Sequence, residues 1–357
     1  MVLDSQFAMR LLYTILVAAG ISCAITPLVK WLAKAVGALD IPKDKRRMHH
    51  KPIPRMGGLS IVLAFFISFL IFGEVDKEIR GILIGAIMIV ALGIVDDIKS
   101  LKALPKFFVQ IAAAVVVVAH GCRIEQFLGM ELPDWISCIA SVIWIVMITN
   151  AVNFIDGLDG LAAGVSAISA GTMLVVALLL FPEHNATLSA LILAAIVGGC
   201  IGFIPYNFNP ASIFMGDTGS TFLGFMLASV SIFGLFKTYA MISFAVPFLV
   251  VGLPLFDICF AVIRRLAKGQ SPMHADRGHV HHRLIDMGFS QKQAVAISYL
   301  ISAVLGMFAV VLTDKGHVRA IIFLIALVIV GTLGLQLFII NRHHESHKED
   351  QENDEEN

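Results

Sequence analysis

Charge is scarce in this chain. Of its 357 residues only 15% are Asp, Glu, Lys or Arg, against about a quarter in an ordinary soluble protein. That deficit excludes a solvated globular surface over most of the length. Lys plus Arg and Asp plus Glu stand at 26 each, so the formal net charge is zero and bulk charge selects no partner. Cysteine is sparse too. The five cysteines, Cys23, Cys122, Cys138, Cys200 and Cys259, are odd in number and scattered, with no CxxC pair and no metal-ligand spacing. This excludes a disulfide framework and leaves them as small apolar packing residues. The first apolar run lacks a basic start region and a clear cleavage site, so it reads as a retained helix and not a signal peptide. No internal repeat of the transporter kind is visible, and no soluble domain is inserted between the apolar runs.

Apolar sequence is abundant. Hydrophobic residues make up 58% of the chain, and the mean hydropathy is +0.86. Runs of about twenty apolar residues recur along almost the whole length, as in membrane-spanning helices. The bilayer interior cannot satisfy an open backbone, so these runs must be helical. The expected fold is therefore all-α, a polytopic integral membrane protein with about eleven transmembrane helices. The candidate spans lie near 7–29, 57–73, 79–95, 104–120, 135–150, 161–181, 186–204, 219–236, 240–263, 292–312 and 318–340. Alternation places most of the 26 Lys and Arg residues on one side, including the basic loop 30–55 and the loop after the ninth span. The positive-inside rule makes that side cytoplasmic, with the N-terminus outside and the C-terminus inside. Residues 1–342 read as one integral membrane catalytic domain with its site on the cytoplasmic face. Residues 343–357 read as a disordered acidic tail.

The unusual polar residues fall on that same face. "GIVDDIKS" puts Asp96 and Asp97 at the end of the third span, where acids oppose the helix dipole unless nearby lysines relieve them. "NFIDGLDGLAAG" follows the fifth span. One Asp–Gly pair makes a turn; two in register with Asn153 are more than a turn needs. Asn153, Asp156 and Asp159 at i, i+3 and i+6 are expected to share much of one helical face. Such an oxygen-rich face suits Mg²⁺, which takes few protein ligands and keeps sites for phosphate oxygens. "YNFNPASIFMGDTGS" leads into the eighth span. There Asp217 or Thr218 would be an ordinary N-cap, and a helix start with exposed N–H groups attracts anions. "HADRGHVHHRL" supplies His279, His281, His282 and Arg283, whose spacing fits no standard zinc pattern and suits phosphate oxygens better. Asp257, in "LPLFDICF", is an intramembrane acid and so either a functional residue or a structural partner to a base.

Carboxylates for Mg²⁺ and basic groups for phosphates, together at the membrane interface, suit the joining of a water-soluble phosphate compound to a lipid. The motifs "PRMGGLSI", "LGIVDD", "NAVNFIDGLDGLAAG", "YNFNPASIFMGDTGS", "LPLFDICFAVIRR" and "HVHHRL", in this order, resemble the polyprenyl-phosphate N-acetylhexosamine-1-phosphate transferase family over nearly the whole chain. The "HVHHRL" ending and the eleven spans are similar to the branch that uses UDP-GlcNAc. The branch that uses UDP-MurNAc-pentapeptide typically has ten spans and a three-histidine run.

The resemblance implies transfer of GlcNAc-1-phosphate from UDP-GlcNAc to undecaprenyl phosphate, with release of UMP. It implies Mg²⁺ as cofactor, with Mn²⁺ as a substitute, a bacterial cytoplasmic membrane location, and a product feeding a teichoic acid or O-antigen type polymer. It implies no nucleic-acid partner; a homodimer is expected because family members often form dimers. By motif position, Asn153 and Asp217 resemble the metal ligands. Asp96 and Asp97 resemble the pair that orients or deprotonates the lipid phosphate, with Lys106 beside them. Asp159 and Phe214 resemble the residues that read and stack on uracil, and His279, His281, His282 and Arg283 the loop that grips the diphosphate or sugar. Lys51 and Asp156 are supporting residues. The alternatives are another UDP-N-acetylhexosamine or UDP-MurNAc-pentapeptide as donor, a transporter using the same polar face, and a membrane scaffold. The clustering of acids at helix ends, not at mid-span, speaks against transport.

Overall fold

The structure, a computed structural model, describes residues 4–41, 51–127, 130–235, 245–267 and 280–313. Its helices, in chain order, are α1 (Ser5–Ala35), α2 (Gly58–Phe72), α3 (Lys77–Lys99), α4 (Ala103–Ala119), α5 (Asp134–Ile155), α6 (Leu161–Leu179), α7 (His184–Asn207), α8 (Gly216–Val230), α9 (Ala245–Val250), α10 (Gly252–Ala267), α11 (Val280–Asp286) and α12 (Gln291–Thr313). Six of them, α1, α3, α5, α6, α7 and α12, are long and apolar enough to cross a membrane, and α2 and α4 are shorter apolar helices. Helix α8 has only 15 residues, but it runs straight into a π-helical turn, Ser231–Leu235. Together they reach the ~30 Å of a hydrocarbon core.

The first ten apolar runs coincide with helices; the run 318–340 lies outside the described residues. The ninth run is not one span. It is divided into α9 and α10 at Val251, because Pro254 has no N–H to give the Val250 carbonyl. Ser169 Oγ on α6 donates to that freed carbonyl at 2.8 Å, so this acceptor is not left open in an apolar setting.

Helix α8 is the axis of the bundle. Every residue from Thr218 to Val230 is buried, and α3, α5 and α2 all pack on it. Glycine makes these approaches possible at its first turn. A Cβ on Gly58 of α2 would overlap the Gly219 backbone, and one on Gly93 of α3 would lie 2.5 Å from Thr218 Cα. Such contacts bring backbone against backbone where side chains would hold helices 8–10 Å apart, roughly. Outside this axis, α1 packs on α7 and α2, and α12 on α6 and α9. None of the five cysteines forms a disulfide.

Helices α3, α5 and α7 end, and α2, α4, α6 and α8 begin, at one end of the bundle. Four of the polar motifs, "PRMGG", "GIVDD", "NFIDGLDG" and "YNFNPASIFMGDTGS", meet there. The short antiparallel pairing of Leu39–Asp40 (β1) with Ile53–Pro54 (β2) closes that end beside α2.

Candidate active site

The last turn of α3 carries Asp96 and Asp97, 6% and 2% exposed. Their two carboxyls do different things. Asp97 accepts from Asp217 N at 3.0 Å through Oδ1, and from Thr218 N at 3.1 Å and Thr218 Oγ1 at 2.6 Å through Oδ2. It is thus the N-terminal cap of α8, supplied from another helix. Met215, at the N-cap position of α8 itself, makes no side-chain cap bond. The sequence expectation that Asp217 or Thr218 caps this helix is corrected: their N–H groups are capped by Asp97, and so are not open to an anion. Gly216 makes room for this, with φ +74° and space where a Cβ would lie 2.6 Å from Asp97 Oδ2. Asp96 instead accepts from Leu101 N at 2.6 Å through Oδ1, and its Oδ2 takes the Lys106 ammonium at 3.1 Å.

Lys106, in the first turns of α4, also reaches Asp217 Oδ2 at 2.6 Å. One cation therefore bridges the acid that ends α3 and the acid that starts α8. Asp217 Oδ1 receives Asn153 Nδ2 at 3.2 Å, and the same amide group donates to Ser220 Oγ at 2.8 Å. Asn153 is thereby brought from α5 to the first turn of α8. The acids at the end of α3 are further balanced by Arg55, whose Nε donates to Asp97 O at 3.0 Å and whose Nη2 donates to Asp96 O at 3.1 Å and Ser100 Oγ at 2.9 Å. A guanidinium on the terminal carbonyls of a helix opposes the negative end of its dipole.

The third part is the turn from α5 to α6. The expected shared helical face of Asn153, Asp156 and Asp159 is corrected, because α5 stops at Ile155 and Asp156 leaves helical geometry with ψ +46°. Asn153 then faces α8, while Asp159 faces the segment after α7. Asp159 Oδ2 accepts from Asn209 Nδ2 at 2.9 Å and Ala211 N at 3.0 Å. Asn209 Nδ2 also donates to Gln291 Oε1 at 2.8 Å, and Tyr299 OH to Gly160 O at 2.6 Å, so α12 grips the same turn. Gly160 stands at φ +81° and donates its N–H to Asn207 Oδ1 at 3.1 Å. Asp156 is half-buried in this turn. Burial raises its pKa well above the ordinary carboxylate value, and the like charges of Asp217, Asp97 and Asp159 raise it further.

Backbone pairing joins the remaining motif. Phe214 N donates to Pro54 O at 2.8 Å, Gly57 N to Phe214 O at 2.9 Å and Gly58 N to Met215 O at 2.8 Å. "PRMGG" and "FMGD" are thus stitched together directly over the ends of α3 and α8.

Comparison with known proteins fits this assembly. Residues 79–235 match the family described as Glycosyl transferase family 4. The chain is 37% identical over 322 residues to the probable undecaprenyl-phosphate N-acetylglucosaminyl 1-phosphate transferase of Bacillus subtilis (strain 168), an alignment covering 88% of this chain and 84% of that one. The chain belongs to the polyprenyl-phosphate N-acetylhexosamine-1-phosphate transferase family. It is also 33% identical over 350 residues to a decaprenyl-phosphate N-acetylglucosaminephosphotransferase of Mycolicibacterium smegmatis, covering 88% and 85% of the two chains. Against the undecaprenyl-phosphate alpha-N-acetylglucosaminyl 1-phosphate transferase of Escherichia coli (strain K12) the identity is 27%, covering 84% of each.

The segment matched by the transferase family model runs from α3 to the π-turn and so holds Asp96, Asp97, Lys106, Asn153, Asp156, Asp159, Phe214 and Asp217. The structure gathers these around the start of α8. Phe214 is half-buried there, and Lys51 is exposed before β2. His279 lies outside the described residues. His281 and His282 belong to α11, their side chains outside the description, and Arg283 in the same helix is exposed. Sequence reasoning missed five polar partners: Arg55, Ser220, Asn209, Gln291 and Tyr299. Arg55, Asn209 and Ser220 lie inside the motifs named above. Gln291 and Tyr299 sit on an ordinary apolar helix, and only the packing of α12 on α6 reveals them.

A divalent cation is chemically at home here. Among the described residues no group of three His, Cys, Asp or Glu forms a protein-only metal cage. Three carboxyls, of Asp96, Asp97 and Asp217, nonetheless meet at the start of α8, and two of them, Asp96 and Asp217, already converge on a cation, the Lys106 ammonium. Turning the Asn153 amide over would set its oxygen beside Asp217 Oδ1; the two orientations are nearly indistinguishable by shape. One carboxylate and one amide oxygen, with room for phosphate oxygens, is a donor set that fits Mg²⁺.

Proposed function

We propose that this chain transfers GlcNAc-1-phosphate from UDP-GlcNAc to undecaprenyl phosphate at the cytoplasmic face of a bacterial membrane, forming undecaprenyl-diphospho-GlcNAc and UMP. The observation that carries the reading is the convergence of Asp96, Lys106, Asn153 and Asp217 at the start of α8. The names of the relatives support the donor sugar and the lipid class.

A phosphate oxygen of the lipid attacks the sugar-linked phosphorus of the donor. The bond from that phosphorus to the bridging oxygen breaks, and UMP leaves with the electron pair. Asp96 orients the lipid phosphate and accepts its proton if the monoanion binds. Lys106, freed from its two carboxylates, follows the negative charge from attacking to leaving oxygen. Asp97 does no chemistry in this reading; it fixes Asp217 by capping α8. Asn153 and Asp217 would hold Mg²⁺, or Mn²⁺ in its place, which when bound neutralises charge on the diphosphate. Phe214 and Asp159 receive the uridine, with Asp159 Oδ2 held by Asn209 and Ala211. His279, His281, His282 and Arg283 grip the diphosphate or sugar, and Asp156 and Lys51 support the site. The enzyme works as a homodimer, and its product starts a polymer of the teichoic acid or O-antigen type.

The test supplies purified protein and undecaprenyl phosphate with labelled UDP-GlcNAc or labelled UDP-MurNAc-pentapeptide in parallel. Organic-extractable label from UDP-GlcNAc alone is expected. Label from the pentapeptide donor would transfer the chain to the other branch of the family.

A further inference from the structure

We propose that Arg55 binds the phosphate of the acceptor lipid, using its Nη1 donors while its other donors hold the end of α3. The proposal rests on the transferase reading above and adds a residue to it.

Arginine has five N–H donors and no way to shed its charge. Arg55 uses one at Nε on Asp97 O and two at Nη2 on Asp96 O and Ser100 Oγ. The two at Nη1 have no partner among the described residues. The side chain is 25% exposed, so it is not sealed into the protein. Its position is enforced. Met56, the next residue, is buried at 2% exposure and stands at φ +121°, a conformation a side chain adopts only when its surroundings insist. The insistence comes from the pairing of Pro54, Gly57 and Gly58 with Phe214 and Met215, and from the packing of Met56 on Ala33 and Ala38. A helix C-terminus can be capped by a glycine or by water; a strained turn that delivers a half-open guanidinium is more than capping needs.

Charge gives the same answer. A phosphate monoester approaching Asp96 meets Asp96, Asp97 and Asp217, while the nearest lysine is already held between two of them. A second cation is needed for the dianion to come within reach, and a guanidinium fork is the group best matched to phosphate. Arg55 supplies it from the side of α3 that ends in Asp96.

Full-length Arg55→Ala and Arg55→Lys are compared with wild type in detergent. KM for undecaprenyl phosphate and for UDP-GlcNAc, melting temperature, and retention of radiolabelled undecaprenyl phosphate by immobilised protein are read together. Loss of hydrogen bonds to a charged group predicts a lipid KM raised about ten- to a hundredfold in Arg55→Ala, an unchanged donor KM, and partial recovery in Arg55→Lys. Should Arg55→Ala fail to fold, Arg55→Lys alone is expected to show weaker lipid retention at wild-type donor KM. Unchanged lipid KM and retention in the variant that folds would overturn the proposal and leave Arg55 as a helix cap. A rise in donor KM alone would overturn it too, by assigning the guanidinium to the donor diphosphate. Retention needs no turnover, so a wild type that retains lipid but transfers nothing sinks the transferase reading, while the variants still decide the role of Arg55.

Discussion

Replacing either member of the Asp96–Asp97 pair by asparagine separates the carboxyl that holds the fold from the one that meets the substrate. Asp97→Asn keeps size and removes one acceptor. Three donors face the present carboxylate: Asp217 N–H, Thr218 N–H and Thr218 O–H. In its better orientation the amide keeps its oxygen on Thr218 and turns its NH₂ toward Asp217 N–H. One charge-assisted bond is lost and two donors are set against each other, at a cost of about 1.5–3 kcal/mol. Loss of the anion from the α8 N-terminus adds about 0.3–1 kcal/mol. Asp97→Asn is therefore expected to lose about 2–4 kcal/mol of stability, and activity with it because Asp217 is displaced. Asp96→Asn keeps its bond from Leu101 N and leaves Lys106 on Asp217. It is expected to stay within about 1 kcal/mol of wild type while transfer falls by at least ~100-fold. Thermal unfolding in detergent and lipid-linked label on the same preparations make the comparison. An Asp97→Asn protein that melts with wild type, or an Asp96→Asn protein that is the less stable of the two, would refute the division of labour.

Three further outcomes follow from the same geometry. Gly216→Ala places a Cβ 2.6 Å from Asp97 Oδ2 at φ +74°; left-handed backbone costs about 1–2 kcal/mol, and a shift of Asp217 should lower transfer by about 100-fold, with helix content by circular dichroism unchanged. Tyr299→Phe removes the 2.6 Å bond to Gly160 O; about 1 kcal/mol or more should appear as a roughly fivefold rise in KM for the nucleotide sugar at unchanged KM for the lipid. Asp156 has a raised folded-state pKa, so the folded protein retains a proton that the unfolded chain has already released. Its contribution to stability therefore falls as pH rises from the ordinary carboxylate range through the folded pKa. In EDTA, melting temperatures of Asp156→Asn should decline less than wild type over that window; parallel curves would contradict the assignment.

Much of this site is legible in the sequence, and what is not has a physical reason. Hydrophobic runs fix helices because apolar surroundings permit little else, which is why the positions of ten apolar helical segments are readable without a structure. Alternation then carries "DD", "NFIDGLDG" and "FMGDTGS" to one end of the bundle. The division of roles is not readable. Asp96 and Asp97 are neighbours of identical chemistry, and only the hydrogen bonds from Asp217 and Thr218, on a helix more than a hundred residues away, show that Asp97 is turned onto α8. Spacing misleads at Asp159, because a three-residue period implies one face only while the helix lasts, and α5 ends at Ile155. Arg55 lies in a basic loop where it counts toward orientation; its bonds to α3 join residues more than forty positions apart. The division of the ninth run has a visible cause in Pro254, whereas Ser169 as the acceptor's new partner does not.

The most direct test of the central claim is UMP release by the purified chain. UDP-GlcNAc and Mg²⁺ are supplied with and without undecaprenyl phosphate, and UMP is counted against lipid-linked GlcNAc. The account predicts one UMP for each lipid-linked sugar phosphate, none without the lipid, and none with EDTA or in Asp217→Ala. UMP formed without the lipid, or lipid-linked sugar formed equally well by Asp217→Ala, would contradict it.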